Sequence, residues 1–481
     1  MNQAGCPSAA HRLSSTAVLD FLDRIEEAKL AVNSLILLKD GETAAQYWRA
    51  PYRPDRPQLL YSLSKSFTSI AVGIAWDEGL LELDAPVVSF FPDRCPETIS
   101  PRLARMTVHH LLSMNAGHED PIYEAVARER DWVRAFLSQE VTHEPGTRYR
   151  YSTHATYMLS AILERVAGEP LVDYLMPRLF EPIGIARPVW ETCPLGVAAG
   201  GMGLSIPTEG IARFGQMLLD EGVYKGQRIV SAAYIRMATA EQSDNRAEAK
   251  RIDSAQGYGY QFHLCRRGCY RGDGSFGQLC FVAPKERLVI AATASFPGMD
   301  SLQTLLNLVY ECLLDRMGQA DADPADAARL QERLAERSAP WTTGMESSGL
   351  PNRGRDGCYR LTDNPHGLRT VRFRFRETLL WLEMNYEDER DQRLPFDLTG
   401  PAFAQSVFPK DLALHRQDVV TRAAWLGPDI IRLTLHYIET PYVVVYTIRF
   451  EEERIDWQFE INVSLNMTAY RSVDCLQIDF E

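Results

Sequence analysis

Ser62 and Lys65 stand three residues apart in the stretch Tyr61-Ser62-Leu63-Ser64-Lys65-Ser66-Phe67-Thr68, where the chain's side chains first suggest chemistry. Ile70, Ala71, Ile74 and Ala75 follow at the intervals of a helix face, and Gly79 offers a stop. Positions i and i+3 of a helix share a face, with Cβ atoms about 5–6 Å apart. Ser62 is therefore expected to touch Lys65 while Ser64 points elsewhere. A serine hydroxyl is a weak nucleophile until a neighbouring base takes its proton, and a lysine can be that base once neutral. Burial favours the neutral amine. A helix N-terminus adds N–H donors and a positive dipole end where an oxyanion would form. Alone, Ser-x-x-Lys is a common tetrapeptide and reads as part of a solvated helix.

Two later segments change its weight. Pro145-Gly146-Thr147-Arg148-Tyr149-Arg150-Tyr151-Ser152-Thr153 precedes a helical run from Ala155. Tyr151 stands before that helix start, where a phenol can face a cleft or pack at a turn. Tyr270-Arg271-Gly272-Asp273-Gly274-Ser275-Phe276-Gly277-Gln278 opens a strand. Its glycines allow a ligand close to the backbone, and the Ser275 N–H is a candidate oxyanion donor. The alternative there is a glycine-rich hairpin turn. Three such segments in this order are far more specific than any one of them.

With these residues in place, the sequence resembles the serine β-lactamase and penicillin-binding-protein superfamily, nearest its class C-like esterases and 6-aminohexanoate-oligomer hydrolases. Ser62-Leu63-Ser64-Lys65 is similar to the family's nucleophile motif. Tyr151-Ser152-Thr153 stands where Tyr-x-Asn is expected, and Gly272-Asp273-Gly274 where Lys-Thr-Gly is expected. Glu78–Asp84, Leu111–Gly117 and Gly200–Leu204 resemble supporting blocks, and the resemblance covers about residues 15–317. It implies a covalent acyl-enzyme mechanism. Ser62 attacks a carbonyl, Lys65 and Tyr151 share its proton, and the backbone N–H groups of Ser62 and Ser275 hold the oxyanion. Thr153, Asp273 and Gly274 fall at substrate-binding positions. Two departures argue against β-lactams as good substrates. Thr153 replaces an asparagine, and Gly272-Asp273-Gly274 replaces a cationic motif that binds the β-lactam carboxylate. An unpaired Asp273 would favour neutral or cationic substrates, whereas Arg271, on the same strand face, could pair with it and silence it.

The elements that must position these residues read as an α+β layout. Residues 16–28 pattern as an amphipathic helix, Ala31–Leu38 and Thr43–Trp48 as strands, and Lys39–Glu42 as their turn. Helical patterns fill about 80–250, among them Ala155–Val166 and Thr208–Asp220. Strand character returns at Gly257–Leu264, Gly277–Ala283 and Arg287–Ala294, and Ser301–Met317 closes with a helix. Strands at both ends of this part predict one sheet with helices; the resemblance implies that residues 1–317 form a β-lactamase/transpeptidase-like catalytic domain with an antiparallel sheet. Residues 318–345 read as a linker with a short helix. Residues 346–481 alternate strongly, as in Val371–Phe375 and Arg432–His436, predicting about eight strands in an all-β domain, an antiparallel barrel or sandwich.

Composition narrows the partners. The chain has 481 residues, 45% hydrophobic and 24% charged, with a net charge of −13. An acidic balance disfavours nucleic acid and anionic membrane as partners. With no apolar run of about 18 residues and no charged-then-apolar leader pattern, the expected location is cytoplasmic. Nine cysteines, none in C-x-x-C spacing, read as reduced structural thiols. His109-His110 and His118-Glu119-Asp120 match no metal-ligand spacing, so neither metal nor cofactor is expected. Trp190, Glu191, Tyr260 and Gln261 are secondary cleft candidates. The leading function is hydrolysis of a small ester or amide through an acyl-serine. The alternatives are acyl transfer from the same intermediate and a non-catalytic binding or sensor protein on the same fold.

Overall fold

The computed structural model describes residues 13–119, 121–341 and 356–478. Cys6, Asp120, the end of the expected linker at 342–345 and the tip of the last expected strand lie outside them. The chain divides into two compact units. The first runs through Tyr47 and resumes from Pro57 to Glu336; the second joins Trp48–Arg56 to the chain from Arg337 onward.

The first unit is organised on a six-stranded sheet. Its order is Glu42–Trp48, Val32–Lys39, Leu288–Ala294, Gln278–Ala283, Tyr270–Gly274 and His263–Leu264. Val32–Lys39 pairs antiparallel with Leu288–Ala294, with Leu37 opposite Ile290, so the front of the unit is stitched to its back. The hairpin turn is tight because Asp40 and Gly41 take the left-handed conformation that such turns need. Leu288–Ala294 and Gln278–Ala283 are buried along their whole length, which is why they read as continuous apolar runs. Val18, Phe21, Leu22 and Ile25 of the Ser15–Glu27 helix join Leu302, Leu305 and Leu306 in one core with the sheet. Leu330 and Leu334 of the Asp326–Arg337 helix enter the same core.

Between the outer strands lies the helical part, centred on Ser64–Asp77. This helix is buried on every side from Ser64 to Ala75, so it is not a solvated helix. Its hydroxyls are accounted for, as buried polar groups must be. Ser64 Oγ accepts from Leu204 N, Ser66 donates to the Gln261 carbonyl, Thr68 donates to the Gly200 carbonyl, and Ser69 shares a bond with Tyr234.

Three boundaries differ from the sequence expectation. Of Gly257–Leu264 only His263–Leu264 is strand, because Tyr258 N bonds to the Ser243 carbonyl in a loop and Gln261 N to the Leu112 carbonyl at a helix end. The helix expected at Ser301–Met317 is Met299–Leu308, continued by a wider π turn over Val309–Leu314. The C-terminal sheet has ten strands, not about eight. It is an antiparallel, nearly closed barrel in which Gly357–Arg360 lies beside Ala469–Ile478. The two ends of the sheet are Gln392–Asp397 and Ala402–Pro409. The Gln392 side-chain amide spans them, donating to the Val407 carbonyl and accepting from Val407 N. Each end strand carries a proline, Pro395 and Pro409, which blunts a strand pattern and is tolerated at a sheet edge. Among the described residues, no helix is long and apolar enough to cross a membrane.

Candidate active site

Ser62 sits not on the long helix itself but on a one-turn 3-10 segment, Tyr61–Leu63, that leads into it. Tyr61 enters that turn with φ 49°, a left-handed conformation uncommon for a bulky residue. The 3-10 turn still stacks i over i+3, so Lys65 Nζ reaches Ser62 Oγ at 3.0 Å. Lys65 is 1% exposed. Its Nζ is further fixed by bonds to the Gly201 carbonyl at 2.7 Å and Thr153 Oγ1 at 3.3 Å. Ser64 is fully buried and accepts from Leu204 N, so it faces away from the cleft.

Tyr151 arrives from the loop before the Thr153–Ala167 helix, whose N-terminus is capped by Ser152 accepting from Ala155 N. Lys65 Nζ lies 4.9 Å from the centre of the Tyr151 ring. Tyr151 is 39% exposed and lines the cleft, and its hydroxyl is hydrogen-bonded with Ser62. Burial pushes the phenol pKa well above its usual value; the hydrogen bond with Ser62 works the other way, and the Asp273 charge adds to the rise. Tyr151 is a phenol at neutral pH.

The opposite wall is the strand Tyr270–Gly274 and the turn Ser275–Gly277. Glycine is required there by close approach. A Cβ on Gly274 would stand 2.1 Å from the Leu60 carbonyl oxygen, and one on Gly272 would stand 2.4 Å from Ser66 Oγ. The strand end is thus pressed directly on the turn that carries Ser62. Asp273 is 9% exposed and Arg271 2%. Arg271 Nε donates to Asp273 Oδ2 at 2.6 Å, and its other nitrogens reach the Asp253 carbonyl, Cys265 Sγ and Ser254 Oγ. Of the two expectations for Asp273, the structure has the paired one. Burial opposes the carboxylate, but the Arg271 guanidinium outweighs it and holds the Asp273 pKa below the usual range.

Ser62, Tyr151, Asp273, Gly274 and Ser275 line one cleft of about 370 Å³, with Lys65 and Thr153 directly behind. Sequence reasoning did not single out Tyr149, Glu248, Lys250, Arg251 and His263, which also line it. His263 lies opposite Arg271 in the strand register. Its ring stacks on Tyr151 at 6.3 Å, and its Nε2 is 4.0 Å from Asp273 Oδ1. Burial lowers its pKa to about 4, so it is neutral at neutral pH. The hairpin preceding the Asp273 strand was the available signal, since antiparallel pairing returns its partner to the same site.

The secondary candidates serve the frame. Trp190 Nε1 donates to the Met202 carbonyl, Tyr260 bonds His109, and Gln261 ties Thr156 to the Leu111 and Leu112 carbonyls. His110 closes a capping box with Thr107, and Glu119 bonds His143 and Arg148. The eight described cysteines are free thiols.

The profile of the family described as Beta-lactamase matches residues 22–308, well over half of the chain. The 6-aminohexanoate-dimer hydrolase of Paenarthrobacter ureafaciens is 28% identical over 310 residues, covering 60% of this chain and 78% of that protein. Esterase EstB of Burkholderia gladioli is 28% identical over 152 residues, covering 28% of this chain and 38% of the esterase. The octameric penicillin-binding protein homologue from Pyrococcus abyssi aligns in structure with a TM-score of 0.51 at 17% identity, over 92% of this chain and 97% of that one. That alignment extends the fold likeness through the barrel.

Proposed function

This chain belongs to the Beta-lactamase family, and from that footing we propose that it is a serine hydrolase cleaving small esters or amides through an acyl-serine intermediate. The observation that carries this is the Ser62 Oγ–Lys65 Nζ contact at 3.0 Å, with Tyr151 sharing Ser62, at the floor of the cleft. Ser62 Oγ attacks the substrate carbonyl carbon and forms the new C–O bond. The carbonyl electron pair moves to oxygen, where the Ser62 and Ser275 N–H groups hold it; removing one such donor costs about 2.7–4 kcal/mol in other hydrolases. The serine proton passes, directly or through the Tyr151 phenol, to the neutral Lys65 amine. The Lys65–Tyr151 pair then protonates the leaving nitrogen or oxygen as its bond to carbon breaks. A phenol with a raised pKa suits this relay, because it still carries a proton to give at neutral pH. Water then repeats the sequence in reverse and frees Ser62.

The substrate range follows from the far wall. The Arg271–Asp273 pair neutralises itself, so this strand offers no cation to a β-lactam carboxylate, and Thr153 stands in place of an amide side chain. Poor turnover of penicillins and cephalosporins follows. The two sequence relatives, a 6-aminohexanoate-dimer hydrolase and an esterase, are the likenesses that support an ester or amide substrate. The test is intact-protein mass spectrometry after a fluorophosphonate probe and after a panel of esters, amides and β-lactams. A single adduct on Ser62 with turnover of esters or amides is expected. A folded protein that takes no adduct would instead be a binding protein on a hydrolase fold.

A further inference from the structure

Two aromatic residues hold left-handed backbone conformations, and each adjoins a proposed oxyanion donor. Tyr61, φ 49°, precedes Ser62, and Phe276, φ 64°, follows Ser275. Outside glycine such conformations are uncommon and cluster where surrounding structure over-determines them. Here the surroundings include each other. The two rings meet edge to face, with centroids 5.2 Å apart and planes at 80°, an arrangement aromatic pairs favour. Both residues are buried, 2% and 6% exposed.

The Ser62 N–H lies in the peptide plane shared with Tyr61, so the Tyr61 backbone aims it. Ser275 is pinned on both sides. Before it, Gly274 presses on the Leu60 carbonyl, so closely that a Cβ would stand 2.1 Å away. After it, Phe276 packs on Tyr61. Two separated contacts fix an angle as well as a distance between the two segments.

We propose that Tyr61 and Phe276 are a matched pair of positioning residues whose edge-to-face contact sets the separation and direction of the Ser62 and Ser275 N–H groups. The inference rests on the reading of Ser62 as nucleophile. Because the oxyanion exists only in the transition state and the tetrahedral intermediate, the pair acts on kcat and leaves ground-state binding alone.

The test is steady-state turnover of an ester by Phe276→Leu, Tyr61→Leu, the double variant and Tyr61→Phe, normalised to sites labelled by the fluorophosphonate. Each leucine variant should lose about 10–100-fold in kcat, below the full loss of a donor, with KM within about threefold. The double variant should be no worse than the poorer single, since the residues act as one unit. Tyr61→Phe keeps the ring and should match the wild type. If leucine prevents folding, Phe276→Met is the milder loss, with the same result expected. Unchanged kcat per labelled site, losses that multiply, or a change carried by KM would overturn the proposal. Wild-type protein that is not labelled at Ser62 would overturn the hydrolase reading with it; labelled wild type with unchanged leucine variants overturns this inference alone.

Discussion

Replacing Asp273 by asparagine removes one charge from a buried pair and leaves the other in place, which makes its consequences calculable. Arg271 and Asp273 are 2.6 Å apart, with side chains 2% and 8% exposed. Breaking such a pair from one side costs about 3–5 kcal/mol, because a buried charge is left uncompensated. Arg271 keeps its bonds to the Asp253 carbonyl, Cys265 and Ser254, so a loss near the low end, about 3 kcal/mol, is expected. The pH dependence has a definite sign. The Asp273 pKa is lowered in the folded state, so its contribution is fully present above the unfolded carboxylate value of about 3.9 and is lost as pH falls through the folded value. Urea titrations of wild type and Asp273→Asn should therefore differ by a constant amount from about pH 5 to 8 and converge in acid. The same change leaves an uncompensated cation buried behind the Asp273 position of the cleft wall. A charge ~6 Å from a substrate carboxylate, at an effective dielectric of about 20, is worth about 2.8 kcal/mol, or on the order of 100-fold. kcat/KM for matched anionic, neutral and cationic esters should shift toward the anionic member by up to that factor. A variant within about 0.5 kcal/mol of wild type, the scatter of ordinary surface changes, or an unchanged charge ranking, would refute the reasoning.

Three other outcomes are expected. Ser62→Ala should abolish adduct formation and turnover while unfolding at the wild-type temperature; residual labelling would move the nucleophile elsewhere, although Ser64 is fully buried. Lys65→Ala and Tyr151→Phe should each lower kcat by about 10²–10⁴-fold, and the double variant little further, whereas multiplying losses would mean two independent proton paths. Gly274→Ala places a methyl against the Leu60 carbonyl oxygen, a backbone atom that cannot swing aside; labelling at the wild-type rate would contradict the close packing of strand on turn.

The local spacings were legible in the sequence because they depend on the chain's own geometry. Ser62 and Lys65 meet through i, i+3 stacking, which survives the replacement of an α turn by a 3-10 turn. The Val32–Lys39 hairpin follows from Asp40 and Gly41, and the barrel strands from strict alternation, as in Leu379–Tyr386. The order of the three site segments was likewise readable, and with it the family. What the tertiary structure alone decided is what arrives from far along the chain. The Gly201 carbonyl reaches Lys65 across 136 residues, and His263 stacks on Tyr151. Neither is marked by spacing, because a contact between distant segments carries no period. The state of Asp273 was open for a related reason. Its neighbour Arg271 could turn to solvent or to the carboxylate, and only the burial of both, with Asp253, Cys265 and Ser254 fixing the guanidinium, selects the pair. Sequence determines which side chains are available at the cleft; packing determines which of their charges still act on a substrate.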